Sequence, residues 1–424
     1  MTARSATVAF RLSAAGVNTL SDRRLLWFLV VIFGVRRVLA DLPVFMPAGA
    51  DVFGFIDVGR QTLTNPGAIY PVAAAQIANG FVYVVLYPPP QLLLAALYAL
   101  VPGSTAALLW VATDTVAAVV ALVIILRLVA RFHPAAQPAF WLVVICFTPL
   151  FEDIRLGQRS GLLMLLAVGS MGLVVTRPAA AGLLAGLATA LKFYPGAMVL
   201  GVDARKQWKF VVSLLATGFI VLAASFIPFG SPLFYFTKIL LPSLTWQNSG
   251  PHDCFQDSTP LLYARVIDGE SYGVINQDGI WHQVAFDSWH FSALATALSY
   301  STIVLVIAAT IWAVRRSGAA QPFSLALCFS LGTLVPGEVF TYQYLPMLPL
   351  LLIVFMKVLQ HRMFLATLGL SAALWVLLVS PCALPLPSLW SVAALAIFGI
   401  AVWQAPLFRS PSSLDAPKMR GGQS

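Results

Sequence analysis

The chain has 424 residues, of which 59% are hydrophobic and only 10% are charged. A soluble protein carries about 25% charged residues, so the composition excludes an ordinary soluble domain. Apolar runs of roughly 15 to 23 residues recur along nearly the whole chain, and they predict a polytopic helical membrane protein. The net charge of +9 therefore indicates membrane topology rather than nucleic-acid binding.

In chain order, the first predicted element is a cytoplasmic segment, residues 1–24. The last is a cytoplasmic tail, residues 409–424, which has the composition of a disordered segment. Residues 25–408 between them form an all-α membrane-embedded domain with about 12 transmembrane helices. The predicted spans are 25–40, 105–127, 138–150, 161–176, 179–191, 194–204, 209–229, 292–314, 322–336, 342–358, 363–380 and 388–406. The run YPPPQLLLAALYALV, residues 87–101, is expected to form a short re-entrant or interfacial helix.

The distribution of basic residues orients this arrangement in the membrane. Most of the 25 Lys and Arg residues fall on segments that lie in the cytoplasm if the N-terminus does, as the positive-inside rule requires. Both termini are then cytoplasmic, and two long loops, about 41–86 and 230–291, lie on the extracytoplasmic face. The first apolar run lacks a small-residue cleavage site, which favours a retained helix over a signal peptide.

A lysine at the end of an apolar run is the first candidate functional residue. Lys192 ends the run LATAL and precedes Tyr194 and Pro195, a proline that interrupts the helix. A broken helix at membrane depth is tolerated where it lines a cavity or is buried in protein. Lys192 either extends its ammonium group to the headgroup region or binds a lipid phosphate. Arg155 and Arg159 are predicted on the same face.

Acidic residues of the first outer loop are the second set of candidates. Asp51 and Asp57 would be turned about 240° from each other on a helix, so they are not a paired-carboxylate site. Asp51 is a candidate general base or a helix N-cap, whereas Asp57 is expected to be structural or solvated. The histidines of the loop 230–291 show no HxH or HExxH spacing, and no metal or other cofactor is predicted.

The ordered combination of motifs resembles glycosyltransferase family 87 of the GT-C superfamily, whose prototypes depend on polyprenyl-phosphate mannose. The resemblance covers about residues 25–360. Its motifs are DVFGF from Asp51 with Gly59, LYPPPQLLLAALYALVP, Leu109-Trp110, Leu156-Gly157-Gln158 and AGLLAGLATALKFYP. This chain departs from the family at three points, with Phe55 for Tyr, Ser160 for Asn, and Gln256-Asp257-Ser258 for Asn-Gln-Ser.

This resemblance implies transfer of a sugar from a lipid-linked donor on the outer side of the membrane, with a catalytic acidic residue at the position of Asp51. We therefore expect an inverting hexosyltransferase that moves mannose from a polyprenyl-phosphate sugar to a glycolipid or glycan acceptor, without a further cofactor or a nucleic-acid partner. A polyprenyl-phosphate arabinofuranose donor is an alternative. A non-catalytic lipid or solute transporter is an alternative of another class.

One carboxylate suffices for this reaction because the donor phosphate is already a good leaving group. The enzyme needs a base for the acceptor hydroxyl and cations for the departing phosphate. We assign Asp51 as the base and Lys192 as the phosphate ligand, with Arg155 or Arg60 beside it. The donor and acceptor cleft is predicted to be lined by Tyr87, Gln158, Tyr194, Gln256, Asp257 and Gln343.

Overall fold

The computed structural model describes residues 20–41, 50–78, 87–130, 137–241, 258–268, 274–277, 280–283, 292–318, 321–336, 341–379 and 388–409. These residues are predominantly helical, as the sequence predicts. The helices of eight residues or more are α1 (Leu20–Asp41), α2 (Ala50–Thr64), α3 (Pro66–Ala78), α4 (Pro89–Ala99), α5 (Gly103–Ala130), α6 (Gln137–Cys146), α7 (Thr148–Leu156), α8 (Ser160–Leu173), α9 (Pro178–Leu191), α10 (Trp208–Ser225), α11 (Thr259–Ile267), α12 (Ala293–Ser317), α13 (Pro322–Phe329), α14 (Met347–Gln360), α15 (Phe364–Leu378) and α16 (Leu389–Gln404).

Shorter elements connect these helices. They are the 3₁₀ helices Tyr194–Gly201, Thr341–Tyr344 and Ala405–Phe408, the helical turns Pro232–Tyr235 and Leu331–Leu334, and the π-helical turn Phe236–Leu240. A β-hairpin, β1 (Val274–Gln277) and β2 (Ile280–Gln283), pairs antiparallel with Val274 opposite Gln283. This hairpin of two four-residue strands lies in the predicted outer loop 230–291, and the chain remains all-helical in class.

Four helical stretches are long and apolar enough to cross a membrane: Gly103–Val129, Trp208–Ser225, Ala293–Ser317 and Leu389–Phe408. Shorter apolar helices accompany them at Gln137–Cys146, Ser160–Leu173, Pro178–Leu191, Pro322–Leu334, Met347–Gln360 and Phe364–Leu378. A helix crosses the roughly 30 Å hydrocarbon core with about 20 residues. The chain is therefore a multi-pass membrane protein by the length and composition of its helices.

The predicted spans 138–150 and 194–204 are among those that do not form a single crossing helix in the structure. The run 138–150 is divided between α6 and α7, which begins at Thr148 with a proline in its first turn, because proline favours a new helix start over continuation. The run 194–204 contains an eight-residue 3₁₀ helix, which at about 2 Å per residue is too short to cross the bilayer. By contrast, α4 has 11 residues, in agreement with the short helix predicted at 87–101.

The α9–α10 pair is held together by small residues. A Cβ atom at Gly182 would collide with the carbonyl oxygen of Phe210, and one at Gly186 would lie 2.6 Å from the carbonyl oxygen of Leu214. Two small residues with four-residue spacing let helix backbones approach closely in a membrane. This contact fixes α9, and the residue that follows α9 is Lys192.

Candidate functional site

A tight turn brings three helices together. Residues 156–158, here named the LGQ turn, begin at the last residue of α7, and Gly157 adopts a left-handed conformation with φ of 68°, which favours glycine. A Cβ atom on Gly157 would collide with Val52 of α2. The indole Nε1 of Trp110 on α5 donates a hydrogen bond to the Gly157 carbonyl. The LGQ turn thus connects α2, α5 and α7.

Two predicted cleft residues meet at this turn. Gln158 is buried, and its Oε1 accepts a hydrogen bond of 3.2 Å from the hydroxyl group of Tyr87. The ring of Phe55 lies 5.0 Å from the ring of Tyr87 and 5.1 Å from the ring of Trp110. Phe55 therefore contacts both Tyr87 and Trp110 and belongs to one aromatic cluster with them.

Lys192 lies beside the same residues. The α9 helix ends at Leu191, and Lys192 follows in extended conformation, with φ of −147°, which confirms the predicted helix break. Its ammonium nitrogen lies 5.9 Å from the ring centre of Tyr87. It also interacts electrostatically with Asp153 and, second, with Asp114. A cation at the C-terminal end of a helix is favoured by the helix dipole.

Two buried carboxyl groups share the N-terminus of α8. Asp114 on α5 is 1% exposed and Asp153 on α7 is 0% exposed. The N–H group of Gly161 lies 3.3 Å from Oδ2 of each, and the N–H group of Leu162 donates to Asp114 Oδ1 at 2.9 Å. These N–H groups have no partner within the helix, and carboxylates are favoured at that end. We name Asp114 and Asp153 the acid pair.

The two carboxyl groups of the acid pair also interact electrostatically with each other. Two like charges in one buried site are unfavourable, so the pair is expected to hold one proton. With one proton shared, the acid pair keeps one negative charge, and this charge interacts with Lys192. Neither residue is among the site residues predicted from the sequence, although an acidic residue within an apolar helix such as Asp114 is itself a signal of an internal partner.

Arg159, next to the LGQ turn, is held inside the protein. It is 4% exposed, and its guanidinium carbon lies 3.6 Å from the ring centre of Trp110 and 4.5 Å from that of Tyr98. Its Nη1 donates a hydrogen bond of 2.8 Å to Thr113 Oγ1. The cation–π contacts stabilise a buried guanidinium group, and they pack α8 against α5.

The two other predicted phosphate ligands have carboxylate partners in their own helices. Arg155 contacts Glu152 with Nε and Nη2 at 2.9 and 2.6 Å. Arg60 contacts Asp57 at 3.0 Å, and the Asp57 side chain is 63% exposed. The expectation of a solvated Asp57 is confirmed. Exposed ion pairs of this kind contribute about 0 to 1 kcal/mol to stability.

Tyr194 and Gln343 border a neighbouring part of the bundle. The ring of Tyr194 lies 5.6 Å from that of Phe329 and directly over Gly332, where a Cβ atom would collide with it. The backbone carbonyl of Gln343 accepts a hydrogen bond of 3.0 Å from Thr333 Oγ1. Both residues therefore pack on α13 and the helical turn that follows it.

Three predicted residues are described only in part or not at all. The backbone of Asp51 lies in the first turn of α2, and the structure describes its neighbour Val52 but not its own side chain. Since Val52 packs on Gly157, the backbone at Asp51 is close to the LGQ turn. Gln256 and Asp257 lie outside the described residues.

Comparison with known families now identifies the chain. The sequence model of Glycosyltransferase family 87 matches residues 85–336, which is more than half of the chain. The chain belongs to glycosyltransferase family 87. As a member of family 87 it is a membrane glycosyltransferase with a sugar donor and an acceptor, and this favours the enzyme over the transporter alternative. No curated protein and no solved structure matches the chain.

The segment that matches family 87 contains most of the site. The LGQ turn, the acid pair and Lys192 all lie within residues 85–336, whereas Asp51 precedes them. Across the described ranges, no group of three or more His, Cys, Asp or Glu residues is arranged to hold a metal ion.

Proposed function

We propose that this family 87 enzyme transfers a hexose, mannose, from a polyprenyl-phosphate sugar to a glycolipid or glycan acceptor on the extracytoplasmic face, with inversion. One observation carries the proposal. A continuous series of contacts runs from Val52 to Gly157, from Gln158 to Tyr87, and from Tyr87 to Lys192. It links the helix turn that bears Asp51 with the Lys192 ammonium group.

The proposed reaction uses one carboxylate as a base. Asp51 takes the proton of the acceptor hydroxyl group, and the hydroxyl oxygen forms a bond to the anomeric carbon of the donor sugar. The bond between that carbon and the phosphate oxygen breaks, and the phosphate leaves with the electron pair. Because the hydroxyl oxygen attacks the face opposite the phosphate, the anomeric configuration is inverted. General-base catalysis of this kind contributes about 10²–10⁴-fold to the rate.

Lys192 is proposed to hold the leaving phosphate. An ammonium group placed where negative charge develops stabilises the transition state, most strongly where water is excluded. Arg155 and Arg60 are further candidates, and each would share its guanidinium group between the phosphate and its carboxylate partner. The side chains proposed to line the cleft are Tyr87, Gln158, Tyr194, Gln256, Asp257 and Gln343.

The proposed architecture is a GT-C bundle of about 12 transmembrane helices within residues 25–408. The segments 1–24 and 409–424 are cytoplasmic in this proposal, and the active site is extracytoplasmic. The four long and six shorter apolar helices support a bundle of this size. Accessibility labelling of single cysteines at positions 51 and 203 tests it, because the two positions should lie on opposite faces.

A transfer assay tests the function. Purified protein in lipid nanodiscs is mixed with radiolabelled polyprenyl-phosphate mannose and an acceptor glycolipid, and a new glycoside is expected. Asp51→Asn should abolish transfer while its melting temperature stays that of the wild type. Asp203→Asn, which changes an exposed carboxylate beside Lys206, is the matched control and should remain active. Normal turnover by Asp51→Asn would contradict the assignment of the base.

Donor affinity tests the phosphate ligand. Lys192→Met keeps the length of the side chain and removes its charge, so KM for the lipid-phosphate donor should rise while KM for the acceptor stays constant. An unchanged donor KM would remove Lys192 from this role. A donor series that includes polyprenyl-phosphate arabinofuranose identifies the sugar, since a higher kcat/KM for the arabinofuranose donor would replace mannose in the proposal.

A further inference from the structure

Four elements converge on the acid pair. Asp114 comes from the middle of α5, Asp153 comes from α7, the N–H groups of Gly161 and Leu162 come from the start of α8, and Lys192 follows α9. Gly161 makes this convergence possible, because a Cβ atom on it would lie 2.7 Å from Asp114 Oδ2. Any larger residue would separate the start of α8 from the acid pair.

The acid pair is too deeply buried to act on a substrate directly. With exposures of 1% and 0%, neither carboxyl group can reach an acceptor hydroxyl without a rearrangement of the surrounding helices. Buried carboxyl groups persist when they are hydrogen-bonded and paired with opposite charge. Here the hydrogen bonds come from α8, and Lys192 supplies the opposite charge to Asp153. Contacts also connect the two residues, because Gln158 bonds to the Asp153 backbone and to Tyr87, and the Lys192 ammonium nitrogen lies 5.9 Å from the Tyr87 ring centre.

We propose that the acid pair is a positioning unit that fixes the Lys192 ammonium group relative to the LGQ turn. This inference rests on the proposed function, because it assigns the pair to the donor-phosphate cleft. Asp153 belongs to α7, which leads directly into Gly157 and Gln158, and the backbone N–H group of Gln158 donates to the Asp153 carbonyl at 3.0 Å. One residue therefore orients both the turn through its backbone and the ammonium group through its charge.

Arg159 is the other buried cation near the pair, and it differs from Lys192 in its environment. Its charge interacts with Asp114 and Asp153, but its guanidinium group is packed between Trp110 and Tyr98. That packing fixes Arg159 independently of the acid pair. Lys192 has a flexible stem of four carbons, so its position depends far more on the charges around it.

A double-mutant cycle tests the proposal on the full chain in nanodiscs. The variants are Asp153→Asn, Lys192→Met and the double variant, and the measured quantity is kcat/KM for the lipid-phosphate donor. We expect Asp153→Asn to raise the donor KM about tenfold and to leave the acceptor KM unchanged. We expect the double variant to lose no more than Lys192→Met alone, a coupling of about tenfold. If the losses of kcat/KM in the two single variants instead multiply in the double variant, the proposal is wrong.

A matched control separates positioning from simple support of a helix end. The carboxylate of Asp268 accepts a hydrogen bond of 3.0 Å from the N–H group of Ser292 at the start of α12, so Asp268→Asn also removes a carboxylate from a helix N-terminus. It should lower the melting temperature without changing the donor KM. If Asp153→Asn behaves in the same way, the pair is only a helix support and the proposal is wrong.

Further arms keep the test decisive. If Asp153→Asn does not fold, Asp114→Asn combined with Lys192→Met gives a second cycle with the same expected coupling. If the wild-type enzyme uses no lipid-phosphate donor, the proposed function fails, and the cycle is measured in melting temperatures instead. If the double variant then loses less melting temperature than the sum of the two single losses, the acid pair and Lys192 are coupled through charge. If the losses of melting temperature add, there is no such coupling.

Discussion

Replacement of Gly157 by alanine is the sharpest test of the LGQ turn. An alanine at φ of 68° is strained by roughly 1–2 kcal/mol. Its Cβ atom would also overlap Val52, and overpacking of a buried site typically costs about 1–3 kcal/mol. Together the two effects should lower the free energy of unfolding by about 2–5 kcal/mol. Transfer activity should fall as well, since the turn carries Gln158 and lies beside α2.

Two other glycines in the chain separate these effects. Gly230 has φ of 96° with open space around its Cβ position, so Gly230→Ala should show the strain without the overlap. Gly399 has open space and an ordinary helical conformation, so Gly399→Ala should not destabilise the protein. Unfolding in detergent is followed by tryptophan fluorescence against denaturant. A Gly157→Ala variant no less stable than Gly230→Ala would refute the claimed contact with Val52.

Three further substitutions are expected to act through single contacts. Trp110→Phe leaves a buried carbonyl of the LGQ turn without its donor and should cost about 1–3 kcal/mol of stability; an unchanged denaturation midpoint would contradict that. Tyr87→Phe removes the hydroxyl group that donates to Gln158, so it should lower the free energy of unfolding by about 0.5–1.5 kcal/mol and raise the donor KM. A wild-type stability together with a wild-type donor KM would exclude Tyr87 from the cleft. Gly332→Ala should displace the ring of Tyr194 and cost about 1–3 kcal/mol, and melting temperatures equal to wild type would argue against the packing.

The helical class and the break at Lys192 could be predicted from the sequence because both depend on local features. Long apolar runs determine the class, and Pro195 ends the helix before it. The boundary between α6 and α7 was missed because the apolar run continues through Phe147, although Thr148-Pro149 is a recognisable helix start. The short hairpin was not predicted because it lies in a polar loop without a strong alternation of apolar and polar residues.

The acid pair could not be predicted because it depends on contacts between separate helices. Asp153 alone is an acidic residue in a loop-like sequence, and Asp114 alone is an acidic residue in an apolar helix. Only the fold brings them to one N–H group of α8. Likewise the hydrogen bond from Tyr87 to Gln158 joins residues 71 positions apart, and a single sequence carries no signal for such a pairing.

The glycine contacts between α9 and α10 determine which substitutions this helix pair tolerates. In a water-soluble core a larger apolar side chain adds burial, but lipid provides no hydrophobic force between helices, and close backbone approach holds them together. At Gly182 and Gly186 the residue that dissolves best in lipid, leucine, would therefore do more harm than serine. A hydropathy scale would rank these two replacements in the opposite order.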